Sequence, residues 1–497
     1  MKLNLFNRKS SVGTDAVYLT VSKIVVALIS MVTSMLLARF RTKAEFGTYS
    51  QIIMVTDLVT TVFLLGLPNS VNYFLAKAED DAQKQRFLSV YVTLSTILTI
   101  IIGVCLFLVT PLIIKYFNNP AITTFAYIFA VYPWASLMIN SISNTCIVYG
   151  KSNQLILYNI VHAAFTLAVL LIAKFTGMSF KQYMAVYMAS MMCFALFGLG
   201  WMRKLAGAIR VLLDGKLIKT VLAFSVPIGL ASVVGTLNVE LDKLVIGRFF
   251  STEEYAVFAN AAKELPVTML ATSLTAVLLP AMVKELKKGN NEQAVRLWGN
   301  AAKISFCIMS LIVGGLIVFA PDIMSLFYSE KYVTPDGVMV FRIYSCILIF
   351  RSIYWGIVLN STGKTKFIFY SSLLTLGANV IGNIGFYYIF GFIGPALSSL
   401  AVTLVMNFVQ LKFTTKVIDI KIRHILPWKE IVVCLMQTAA IGTVFWLIKR
   451  ALPQMDRIWS IGVSVGLGAI WAAIYLLINR KKIVFNWKQL NAKSVTD

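Results

Sequence analysis

The sequence predicts an all-α integral membrane protein of about fourteen transmembrane helices, and three observations predict it. Of its 497 residues 58% are hydrophobic and 13% charged, with a mean hydropathy of +0.79, which excludes an ordinary soluble domain of this length. Hydropathy marks about fourteen apolar stretches, each able to cross a hydrocarbon core of about 30 Å, which takes about 20 residues. The basic residues are unevenly placed. With the N-terminus inside, 27 of the 45 Lys and Arg fall in inner segments, 11 in outer ones, and seven within spans or at their edges. That bias puts both termini on the cytoplasmic side. The net charge of +24 then reflects topology and contact with anionic membrane lipids, and no nucleic-acid partner is implied.

The spans run over about 16–38, 46–67, 88–114, 121–149, 155–173, 180–201, 217–246, 255–283, 298–319, 338–359, 367–390, 392–415, 431–448 and 458–478. The first is too long and too polar on one face for a signal-peptide core. The second carries Asp57 near mid-depth, on a face with Ser50, Met54 and Thr61. Pro111 and Pro133 mark tolerated kinks in the third and fourth. His162 in the fifth reads as a hydrogen-bonded packing histidine. The linker Met202–Lys219 reads as a basic amphipathic surface helix. Span eight places Asn260, Glu264, Thr268, Ala271 and Thr275 on one face, beside Lys263 and Pro266. Span ten carries Arg342 near its outer end and Arg351 about 13 Å from its inner end, at about 1.5 Å per residue. Span eleven is rich in Gly and Asn, and Gly462 with Gly466 in the last span forms a GxxxG packing face. The domain boundaries that follow are 1–205 for spans one to six, 206–416 for spans seven to twelve, and 417–497 for the last two spans and a basic tail.

One stretch recurs. Arg39-Phe-Arg-Thr-Lys-Ala-Glu-Phe-Gly-Thr-Tyr49 aligns with Arg248-Phe-Phe-Ser-Thr-Glu-Glu-Tyr-Ala-Val-Phe258 at an offset of 209 residues. The helices before them carry matching small and polar stripes: Ala16, Thr20, Lys23, Ala27, Ser30 and Ser34 in the first, and Ser225, Gly229, Ser232, Thr236, Val239 and Lys243 in the second. Glu240 extends the second stripe, and Asn238 and Asp242 lie on a neighbouring face. Either these helices line a water-filled cavity, or small residues let them pack closely among others. Close packing accounts for Gly229 and Ser232 and leaves Glu240, Asp242 and Lys243 to the cavity. Two halves, each opening on such a helix, form the pattern of a repeat-built transporter.

No loop exceeds about twenty residues, so no room is left for a soluble catalytic domain, and no phosphate-binding glycine loop, HExxH or Ser/His/Asp grouping is present. The six cysteines all fall within spans and without CxxC spacing, so neither a disulfide frame nor a metal site is indicated.

These features resemble the multidrug/oligosaccharidyl-lipid/polysaccharide exporter superfamily. Within it the chain looks most like the polysaccharide (O-antigen, Wzx-type) flippases, which are related to lipid II flippases and MATE transporters. The resemblance rests on the two repeated segments and on Leu265-Pro266 followed by Val277-Leu-Leu-Pro280. It implies two pseudo-symmetric six-helix lobes around a central cavity, plus two extra C-terminal helices. It implies that an undecaprenyl-diphosphate-linked oligosaccharide is turned from the inner to the outer leaflet of a bacterial cytoplasmic membrane, with polysaccharide polymerase and assembly proteins as further partners. Lys23 and Arg351, joined by Lys303 and Lys263, are the expected diphosphate contacts, and Thr20, Ser30, Ser34, Ser232 and Thr236 line the expected path. For Lys23, snorkelling to the interface is the competing reading.

No cofactor is expected, and no enzymatic activity. Coupling to a Na+ or H+ gradient, or to the membrane potential, is compatible with the family. The resemblance to lipid II flippases implies a sodium site built from Asn238 or Asp242, the pair Asn379 and Asn383, and Ser399; Asn383 is not acidic, which weakens its charge balance. Asp57 and Glu264 are intramembrane carboxylates that carry the coupling ion, or else the acids serve structurally in a simple ion pair of Glu264 or Glu240 with Lys263 or Lys243. A MATE-like cation-coupled antiporter is the alternative reading.

Overall fold

The computed structural model describes residues 12–263, 265, 268–453 and 455–491, and every regular element among them is helical. The chain forms two compact units, Met1–Glu240 with Gly247–Ala256, and Leu241–Ile246 with Val257–Asp497.

The first unit holds α1 (Val12–Phe40), α2 (Lys43–Leu64), α3 (Leu67–Lys77), α4 (Asp81–Leu108), α5 (Thr110–Phe117), α6 (Tyr127–Val148), α7 (Ser152–Phe175) and α8 (Phe180–Ala206). It also holds most of α9 (Gly215–Phe249) and the start of α10 (Thr252–Ala261). Its core pairs α4 with α6 and α6 with α8, while α1 lies on α7. The contacts are close because the buried polar residues are small and bond back to their own helix: Thr99 Oγ1 to Ser95 O at 2.8 Å, Ser141 Oγ to Leu137 O at 2.7 Å, Thr145 Oγ1 to Ser141 O at 2.9 Å. At the α2–α3 corner Leu65 and Gly66 both take left-handed backbone, with φ of 40° and 73°. There the chain presses on α9: a Cβ on Gly229 would stand 1.9 Å from the carbonyl carbon of Leu65. Ser225 and Gly229 therefore serve close packing, while Ser232 on the same stripe is exposed.

The second unit continues with α11 (Thr268–Lys287), α12 (Asn291–Val318), α13 (Ala320–Tyr328), α14 (Pro335–Phe350), α15 (Ile357–Ser361), α16 (Thr365–Phe390) and α17 (Gly394–Ile418), then α18 (Ile422–Ile425), α19 (Trp428–Ala451) and α20 (Arg457–Asn491). The helix α12 is central, packing on α11, α14, α19 and α20. Trp471 of α20 seats its ring in the notch left by Gly314 and donates its Nε1–H to Leu311 O at 2.9 Å.

Ten stretches of the described residues are long and apolar enough to cross a membrane, one of them, Thr365–Ile418, holding both α16 and α17. Other expected spans are helical but interrupted. Span three ends at Leu108, and Pro111 opens the short α5 in place of a kink within one helix. Span eight divides between α10 and α11, and span ten stops at Phe350, with residues 351–356 outside any helix. The expected surface helix over Met202–Lys219 is absent. Residues 207–214 leave helical geometry at Gly207, whose φ is 85°, and run along α4. Side chains of α4 take up its backbone groups: Gln85 Nε2 donates to Ala208 O at 2.8 Å, and Arg210 N–H and Leu212 N–H donate to Ser89 Oγ and Thr93 Oγ1 at 3.2 and 3.1 Å. The GxxxG face is also corrected, because a Cβ on Gly462 or Gly466 meets nothing within 4 Å. His162 packs between the rings of Tyr158 and Phe194, but its buried Nε2 makes no hydrogen bond among the described residues, unlike the hydrogen-bonded histidine expected.

Candidate transport site

The described polar residues singled out from the sequence divide between the two units. In the first, α1 presents Lys23 and Ser30 exposed and Ser34 half-buried. Thr20 lies on the same helix, but its side chain is outside the described residues. On α9, Ser232 is exposed, while Thr236 and Asn238 are half-buried. Asp57 is exposed at the middle of α2, and Glu240 is the carboxylate whose charge acts on it. The sequence reading did not pair Asp57 with Glu240, because the two stand 183 positions apart and no spacing rule links them.

The second unit gathers a buried polar cluster where α9, α16 and α17 meet. Asp242 is 3% exposed, Asn379 4% and Asn383 0%. The Asn383 amide is satisfied in one orientation: its NH2 donates to Pro395 O and Ser398 Oγ, both at 3.1 Å, and its oxygen accepts from Asp242 N–H at 3.3 Å. The hydroxyl on this asparagine thus belongs to Ser398, and the neighbouring Ser399, also buried, gives its carbonyl to Thr403 Oγ1 at 2.7 Å. A Cβ at Gly382 would stand 2.4 Å from Ser398 Oγ and would displace that hydroxyl from Asn383.

Arg351 lies within the field of Asp242. It caps the end of α14, where the helix breaks. The break frees the carbonyl of Phe350, which accepts from Trp355 Nε1 at 2.5 Å and Asn407 Nδ2 at 3.1 Å. Non-helical backbone at membrane depth is tolerated where side chains satisfy it in this way. Arg351 and Lys263 line one narrow crevice with Tyr344 and Ser345, and Lys263 itself lies just past the end of α10. Lys303 is elsewhere, on α12, with its Nζ 3.2 Å from Glu430. Glu264 lies outside the described residues.

The interrupted helices, the buried Asp242–Asn383 cluster and the cations beside it form a built polar centre in the second unit. The family model described as "Polysaccharide biosynthesis protein" matches residues 12–286, more than half of the chain. The chain belongs to that family. Among relatives, this family member is 19% identical over 365 residues to the capsular polysaccharide biosynthesis protein CapF of Staphylococcus aureus, covering 72% of this chain and 88% of CapF. It is 23% identical over 315 residues to the probable lipid II flippase MurJ of Buchnera aphidicola, covering 57% of this chain and 59% of that one. Its fold matches a lipid II flippase MurJ in an inward closed conformation with a TM-score of 0.74 at 16% identity, over 94% of this chain and 100% of the other. An inward-facing MATE family transporter of the MOP superfamily matches with a TM-score of 0.65 at 16% identity, over 82% and 98%. The family member is thus a multi-pass membrane protein with the fold of this transporter superfamily.

Proposed function

We propose that this family member turns an undecaprenyl-diphosphate-linked oligosaccharide from the inner to the outer leaflet of the bacterial cytoplasmic membrane by alternating access, for cell-surface polysaccharide biosynthesis. The family match over residues 12–286 carries the reading. In this reading residues 1–205 and 206–416 act as two six-helix lobes, residues 417–497 add two helices, and both termini are cytoplasmic. Polysaccharide polymerase and assembly proteins act on what is delivered outside.

The substrate's diphosphate suits the cations at membrane depth. Arginine makes bidentate contacts to phosphate, and lysine serves as a compact point charge. Arg351, Lys263 and Lys23 take these roles, with Ser30, Ser34, Ser232 and Thr236 along the path. The same site couples transport to an ion. Asp242 has Arg351 as its internal counter-charge, so a diphosphate that draws Arg351 away leaves Asp242 for Na+ or H+. Asp57 with Glu240 provides a second carboxylate position for a proton in the first unit.

The MATE likeness keeps a second reading in view, a cation-coupled drug antiporter. Its substrates are cationic, and Lys263 and Arg351 in one crevice disfavour them. Complementation of a flippase-null strain, with membrane abundance measured alongside, tests the proposal. The Lys23→Gln, Arg351→Gln double variant is expected to reach the membrane and fail to complement, with Lys23→Arg retaining part of the function. Full complementation by the double variant overturns the assignment of these cations. Drug extrusion by the wild type without complementation favours the antiporter.

A further inference from the structure

A second concavity lies away from the polar cluster. It is a crevice of about 660 Å³ between the first turns of α12 and the segment 419–427 that leads through α18 into α19. Arg296, Lys303, Lys421 and Arg423 line it, against the two carboxylates Glu292 and Asp419. Among the described residues, Arg296, Lys421 and Arg423 have no carboxylate within 4 Å, so one cation of α12 and two at α18 share one concavity without ion-pair partners. Like charges gathered in this way repel one another, and an anion relieves that repulsion.

A second cavity adjoins it. Lys303 also lines a pocket of about 250 Å³ between α12, α19 and α20, walled by Ile304, Phe306, Ile431 and Ile483. The Lys303–Glu430 pair stands where the basic and apolar cavities meet, and Phe485, 61% exposed, borders the apolar one. A cationic crevice opening beside an apolar slot matches an amphiphile with an anionic head. Free phosphate would use only the first of the two, and a neutral lipid only the second.

We propose that this is a binding site for an anionic phospholipid, its phosphate held by Arg296, Lys421 and Arg423 and one acyl chain in the apolar pocket beyond Lys303. The geometry suits a resident lipid that ties α12 to α19 and α20. None of these three cations belongs to the crevice of Arg351 and Lys263, so the site is separate from the proposed transport path.

Native mass spectrometry of the full-length protein in detergent, depleted of lipid and then supplied with one lipid at a time, tests it without reference to transport. The wild type is expected to retain phosphatidylglycerol about tenfold or more over phosphatidylcholine. The Arg296→Gln, Lys421→Gln, Arg423→Gln variant, altered only at exposed positions, is expected to lose that preference while remaining monodisperse. Ile431→Trp, which fills the apolar pocket and leaves the cations, is expected to weaken phosphatidylglycerol binding as well. Inorganic phosphate at equal concentration is expected not to displace the lipid. Equal retention of the two lipids, unchanged preference in the triple variant, or full displacement by inorganic phosphate each overturns the proposal.

Discussion

Thr42 and Ser251 stand 209 residues apart and close the same turn. Thr42 Oγ1 accepts from Glu45 N–H at 3.1 Å while Glu45 Oε2 accepts from Thr42 N–H at 2.9 Å; Ser251 Oγ accepts from Glu254 N–H at 3.2 Å and Glu254 Oε2 accepts from Ser251 N–H at 2.9 Å. The repeated sequence motif is therefore a pair of capping boxes. The two turns also touch: Lys43 Nζ is 3.7 Å from Glu253, and Tyr255 donates its hydroxyl to Met54 Sδ at 3.7 Å. The helices that follow then differ. α2 runs unbroken through Asp57 to Leu64, whereas α10 stops at Ala261 and α11 begins only at Thr268. At the same offset, Asp57 corresponds to Pro266. A proline lacks the N–H the helix needs and restricts the residue before it. The cap sets where each helix starts, and the proline that stands at the position of Asp57 in the second copy disfavours helix continuing there.

Copying that difference is the severest test. Asp57→Pro is expected to break α2 and cost about 3 kcal/mol or more, read as a sharp fall in membrane abundance. Asp57→Asn, which keeps the backbone donor, is expected to preserve abundance. If the proline variant accumulates normally, continuity of α2 is not what separates the halves.

A smaller effect is expected where the two turns meet. A Cβ on Gly47 would stand 2.3 Å from Thr252 O, whereas the corresponding position in the second copy, Ala256, already carries one and is fully buried. Gly47→Val is expected to destabilise by about 1–3 kcal/mol through overpacking, seen as a lower thermal midpoint in detergent. A midpoint equal to wild type would mean the turns part without loss. Below that come the caps. Thr42→Ala and Ser251→Ala are each expected to cost about 1 kcal/mol, and Thr42→Ser much less. A large inequality between the two alanine variants would show that the turns are not equivalent.

The all-helical membrane fold and the repeat were legible because hydropathy and a box of four residues are local signals. The breaks at Ala262 and Arg351 were less legible. Apolar residues continue on both sides of each, so hydropathy reads straight through, and only Pro266 and Gly356 hint at the interruption. The cluster of Asp242 with Asn383 was partly legible from the four-residue spacing of Asn379 and Asn383 together with the family resemblance. The choice of Ser398 over Ser399 was not, because adjacent serines differ only in helical phase, and that phase is set by how α17 packs on α16. The extended path of 207–214 left no periodic signal, since its hydrogen-bond partners are side chains on a distant helix.

That extended segment also gives the mildest prediction. Asp214 accepts from Lys216 N–H and Leu217 N–H, both at 3.2 Å, at the start of α9, and pairs with Arg86 of α4. The Leu217 N–H, and after it the Arg86 guanidinium, hold the Asp214 carboxyl below its usual range. A carboxylate lowered on folding stabilises the fold fully above its unfolded value, about 3.9, and loses that contribution as pH falls through the lower folded value. At neutral pH, Asp214→Asn is expected to speed hydrogen exchange at Arg210 and Leu212, whose N–H groups bond to Ser89 and Thr93. Relative to each protein's intrinsic exchange rate, the difference should vanish once acid protonates the wild-type carboxyl. The first half of the chain has this tether on α4, and the effect should be confined to it. Equal protection in the two proteins at pH 7 would show that the segment is held by its backbone contacts alone.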